Sequence, residues 1–84
     1  MDRAWIAEKV GEFIQTNFIY EEGVEIQDDQ SLLETGVVDS TGILELVNFL
    51  EETFRISIED EELIPANLDA VSKIADYVSG KLTG

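Results

Sequence analysis

Neither cysteine nor histidine occurs among the 84 residues. Disulfide bonds, thiolate nucleophiles, zinc sites and imidazole acid/base chemistry are therefore excluded within this chain. Basic side chains are nearly as scarce, five Lys+Arg against 19 Asp+Glu, which leaves a formal charge of −14. Phosphate backbones and anionic membrane surfaces both demand Lys and Arg, so neither nucleic acid nor a membrane is an expected partner. A partner with a basic patch suits the charge best. No stretch approaches the ~18 apolar residues of a membrane span. The start, Met1-Asp2-Arg3-Ala4-Trp5, lacks the apolar run of a signal peptide. The expectation is one free-standing, monomeric, cytoplasmic domain spanning 1–84.

Apolar residues make up 44% of the chain, enough for a core. Ile6, Val10, Phe13, Ile14 and Phe18 recur every three to four positions, which predicts an amphipathic helix over 2–18. Residues 19–39 carry no period and read as a long connection, with one turn near 31–34 ended by Gly36. Its Ile26, Leu32, Leu33, Val37 and Val38 are suited to tuck beneath the helices. A second helix should begin at Asp39 or Ser40, both good N-caps, and bury Ile43, Leu46, Val47, Leu50 and Phe54. Ile56 and Ile58 read as an extended connection. An acidic turn over 59–64 should end at Pro65. A last helix capped by Asn67 should bury Leu68, Val71, Ile74, Ala75, Val78 and Leu82, with fraying near Gly80 and Gly84. Three amphipathic helices and a short turn make a small helical bundle the economical architecture.

Asp39-Ser40 carries the most chemical information. A serine at a helix start after a long loop is exposed, and the helix's partially positive end favours a phosphate. The plain alternative is a helix cap and nothing more. A hydrolytic serine needs a positioned base, and the chain has neither His nor a Gly-x-Ser-x-Gly elbow, so an enzyme is a poor reading. A serine modified by another enzyme needs no base of its own. The acidic clusters Asp28-Asp29 and Asp60-Glu61-Glu62 lack the spacing of a calcium loop and read as solvated surface. Trp5 reads as a core-edge residue, and Tyr20 and Tyr77 carry no signal of their own.

The surround of Ser40 is more specific than the pair. Leu32-Leu33, Gly36, Asp39-Ser40, Glu45-Leu46-Val47, Leu50-Glu51-Glu52 and Phe54 stand at spacings that resemble the attachment region of acyl carrier proteins. Ile56-x-Ile58, the acidic turn and Ile74-Ala75-Asp76-Tyr77-Val78 extend the resemblance over nearly the whole chain. The resemblance implies an all-α four-helix bundle with a short third helix. It implies a 4′-phosphopantetheine arm on Ser40, joined from coenzyme A by a phosphopantetheinyl transferase, with Asp39 as the adjacent motif residue. The arm's thiol would carry an acyl or aminoacyl group as a thioester, received from a loading ligase and passed to downstream acyl-processing enzymes. No metal is implied.

Thr41 and Gly42 stand where housekeeping fatty-acid carriers typically have Leu and Asp. With Gly36-Val37-Val38 before the pair, this looks more like specialised carriers, including the D-alanyl type. Gly in a first helical turn costs up to ~1 kcal/mol against Ala, which predicts a contact reason for it. Thr41, Leu44, Glu45, Asn48, Glu51 and Glu52 lie away from the buried stripe, and their closeness to Ser40 points to partner recognition, with Leu44 as an apolar anchor. Within the resemblance, Ile43, Val47, Leu50 and Ile74 would line a space for the acyl chain. The rival reading is an unmodified acidic helical module that binds basic partners.

Overall fold

The computed structural model describes residues 2–19, 23 and 25–83, and among them the regular structure is entirely helical. Helix α1 spans Arg3–Phe18, α2 Ser40–Phe54, α3 Pro65–Leu68 and α4 Val71–Thr83, with a 3-10 turn at Asp60–Glu62 before α3. No described helix is long and apolar enough to cross a membrane.

Each long helix forms where its apolar positions make one stripe. Ile6, Val10 and Ile14 of α1, Leu46, Leu50 and Phe54 of α2, and Val71, Ile74, Ala75 and Val78 of α4 are buried in one core. Loop residues Leu32 and Val38 and α3 residue Leu68 complete it, as the apolar character of the loop predicts. Asp2 caps α1 by accepting the Ala4 N–H at 3.2 Å. Across the bundle, Arg3 pairs with Asp76 and donates to the Ser72 carbonyl, joining the start of α1 to α4. Phe13 stacks on Phe49 with ring centroids 4.0 Å apart, and Phe54 meets the half-exposed Trp5 edge-on at 5.9 Å, so aromatics fill the α1–α2 seam. Trp5 is the core-edge residue its place in the pattern suggested. α2 ends at Arg55, whose left-handed φ of 56° stops the helix without a glycine.

Three local expectations are corrected. Pro65 opens α3 rather than closing the acidic turn, because its fixed φ and missing N–H suit a first helical position. Asn67 lies inside α3, where its side chain donates to the Glu62 carbonyl at 2.9 Å instead of capping the last helix. α4 begins at Val71 and runs through Gly80 to Thr83. The single helical turn expected near 31–34 is present: the Thr35 N–H donates to the Ser31 carbonyl at 3.3 Å, and the turn closes at Gly36 with φ 75° as the glycine suggested. Tyr20 and Gly84 lie outside the described residues.

Candidate functional site

The start of α2 separates two roles that the sequence left joined. Asp39 is the N-cap, and its Oδ1 accepts the Gly42 N–H at 2.7 Å. Ser40 is the first helical residue, exposed, and its hydroxyl has no hydrogen-bond partner among the described residues. The other serines differ. Ser31 donates to Asp69 at 2.7 Å, Ser72 and Ser79 are half-buried, and Ser57, though exposed, lies on the extended connection after α2. Ser40 alone joins an exposed, uncommitted hydroxyl to the start of a long helix.

Gly42 has the contact reason that its helix cost implied. It is buried, and a Cβ there would stand 2.8 Å from the Phe18 ring, 3.2 Å from Val38 and 3.3 Å from the Asp39 carboxylate. The missing side chain lets the last residue of α1 pack under the first turn of α2.

Down the helix, Thr41, Leu44, Glu45, Asn48 and Glu52 are all exposed, and Leu44 is 64% exposed among acids. Glu51 is turned aside. It is half-buried, and its Oε2 accepts the Ile58 N–H at 3.0 Å, tying the extended connection to α2. Of the four residues expected to line an acyl space, Ile43 borders a cavity of about 70 Å³, shared with Leu33, Leu63, Ile64, Pro65 and Leu68. Leu50 and Ile74 are fully buried in the core, and Val47 is half-buried. Among the described residues no acidic cluster is arranged to hold a metal ion.

Asp69, just after α3, gave no signal in the sequence. Its side chain accepts from the Ser31 hydroxyl at 2.7 Å and the Leu33 N–H at 2.9 Å, while its carbonyl accepts the Leu32 N–H at 2.7 Å. Burial works against its charge, but these donors, helped by Lys73, outweigh burial and hold the carboxyl below its ordinary value. Ser72 N–H donates to the Asp28 carbonyl at 2.8 Å, so the long loop is fastened to the α3–α4 junction on two sides. Lys81 donates to Glu62 at 2.7 Å, which lowers the Glu62 carboxyl and anchors the 3-10 turn on α4.

The chain is 34% identical over 65 residues to a probable acyl carrier protein, PigG, of a Serratia species, covering 77% of this chain and 75% of that one. The crystal structure of an acyl carrier protein from Thermotoga maritima superposes with a TM-score of 0.73 at 28% identity, over 99% of this chain and 93% of that one. No protein-family model matches. The chain belongs to the acyl carrier protein family. Its function is that of a carrier rather than an enzyme, bearing acyl groups on a covalently attached 4′-phosphopantetheine. Membership implies dealings with a phosphopantetheinyl transferase and with acyl-processing enzymes, and it disfavours an unmodified interaction module.

Proposed function

We propose that Ser40 bears the arm and that the exposed side of α2 presents it to the enzymes that load and unload it. The supporting observation is the division of labour at the helix start: Asp39 carries the cap, which leaves the Ser40 hydroxyl exposed and unbonded. A phosphodiester there meets the positive end of a 15-residue helix, worth about 0.3–1 kcal/mol for an anion. When attached, the arm supplies the thiol that a chain without cysteine lacks. With no histidine, the base that takes the serine proton belongs to the transferase.

The recognition face consists of Thr41, Leu44, Glu45, Asn48 and Glu52, with Leu44 as the apolar anchor and the acids steering a basic partner. Glu51 contributes charge but is committed to the Ile58 backbone. Ile43 and its cavity neighbours offer an apolar recess for the acyl end. Gly42, where housekeeping carriers typically have Asp, favours a specialised carrier fed by a dedicated ligase, and a monomer in the cytoplasm is the working state. The test is intact mass after incubation with coenzyme A, Mg²⁺ and a broad-specificity transferase. Wild type should gain one arm and Ser40→Ala none. An arm on the Ala variant would defeat the assignment.

A further inference from the structure

The cavity beside α2 is small, and its walls are held from several directions. At about 70 Å³ it is several times smaller than the ~300–1,000 Å³ of ordinary ligand pockets. Ile43 is fixed because its helix sinks Leu46, Leu50 and Phe54 into the core. Pro65 and Leu68 stand on α3, and Leu33 stands on the loop opposite. These two walls are joined through Asp69, which takes the Ser31 hydroxyl, the Leu33 N–H and the Leu32 N–H at 2.7–2.9 Å. Leu63 and Ile64 follow a 3-10 turn pinned by Lys81 and by the Asn67 side chain. To part the loop from α3, a longer chain must strain the Leu32–Asp69 backbone bond and break both bonds to the Asp69 side chain, and it is the side-chain pair that holds the two walls in register. Breaking that pair leaves a half-buried carboxylate without the donors that offset its desolvation.

We infer that the Asp69–Ser31 latch sets the capacity of this cavity and makes Asp69 a specificity-determining residue that confines sequestered cargo to acyl groups of a few carbons. Longer chains stay in solvent, where they are open to attack and to partner enzymes. The inference rests on the carrier reading of Ser40.

The experiment loads the protein with acetyl-, butyryl- and octanoyl-4′-phosphopantetheine from the corresponding acyl-coenzyme A, with 3′,5′-ADP as leaving group, using a broad-specificity transferase. Cleavage of each thioester by hydroxylamine is followed by intact mass, relative to the same acyl-pantetheine free in solution. A sequestered thioester reacts only through local opening, so protection reports burial. In wild type the octanoyl form should cleave within about twofold of the free compound, whereas Asp69→Ala and the milder Ser31→Ala should protect it about tenfold by letting the walls part. Circular dichroism establishes that each variant is folded, and Ser31→Ala serves if Asp69→Ala is not. Strong protection of octanoyl cargo in wild type overturns the inference, as does its absence in the folded latch variants. A wild type that gains no mass overturns the carrier reading, and the inference with it.

Discussion

Gly42→Ala puts the packing at the head of α2 to a quantitative test. At an unobstructed helical position this change stabilises by about 0.4–1 kcal/mol, chiefly by restricting the unfolded chain. Here the added methyl would lie 2.8 Å from the Phe18 ring, with Val38 and Asp39 at 3.2 and 3.3 Å. Overpacking of this kind costs about 1–3 kcal/mol. The ring must move, and it moves against Phe13, whose centroid is 5.8 Å away. The net expectation is a loss of about 1 kcal/mol, a fall in Tm of about 4–8 °C for a domain of this size. In a Phe18→Ala background the worst clash is gone, and Gly42→Ala should become neutral or stabilising. Urea unfolding of the four proteins in the cycle, followed by circular dichroism, gives a coupling of about 0.5–3 kcal/mol. If Gly42→Ala stabilises the wild type, or costs the same in both backgrounds, Phe18 is not the reason for this glycine.

Asp39→Ala should lose about 1 kcal/mol through its cap, whereas Ser40→Ala, which removes no bond, should stay within about 0.5 kcal/mol by chemical denaturation. Asp69 is depressed in the folded state, so its contribution is present above the ordinary aspartate value of 3.8 and is lost as pH falls through its folded value. Wild type should therefore destabilise more steeply than Asp69→Asn below about pH 4 in acid titrations of ΔG; equal slopes would remove Asp69 from the account. Tm should rise with NaCl, and further with millimolar Mg²⁺, because a charge of −14 on so small a surface repels itself. Glu45→Lys with Glu52→Lys should slow arm attachment mainly in kcat/KM, by roughly tenfold at low salt and less at high salt, while Glu8→Lys with Glu12→Lys on α1 does little.

What the sequence made legible follows from the range of the interactions. The stripes of α1, α2 and α4 repeat within single helices, so Ile6, Val10 and Ile14 or Leu46, Leu50 and Phe54 could be assigned to the core from spacing alone. Pro65 is ambiguous in sequence because proline both ends turns and opens helices, and only the following residues' packing decides between them. Asn67 suits a helix cap by residue type, but its carbonyl partner on Glu62 depends on how the 3-10 turn folds back. Gly42 announced itself as a costly residue, but its partner Phe18 lies beyond a loop without periodicity. The Ser31–Asp69 bond joins residues 38 apart, and nothing local in either marks the other. Ser40 was legible from its surround, whereas the freedom of its hydroxyl depends on Asp39 taking the cap.

In the proposed function one oxygen, that of Ser40, carries the arm. The chain has five serines, at 31, 40, 57, 72 and 79, so the position can be read directly. Tandem mass spectrometry of peptides from transferase-treated protein localises the added phosphopantetheine. It should sit on Ser40 alone, with Ser31, Ser57, Ser72 and Ser79 unmodified. Phosphopantetheine on any of those four, or a protein that stays unmodified at Ser40 under conditions that load a known carrier, would contradict the assignment.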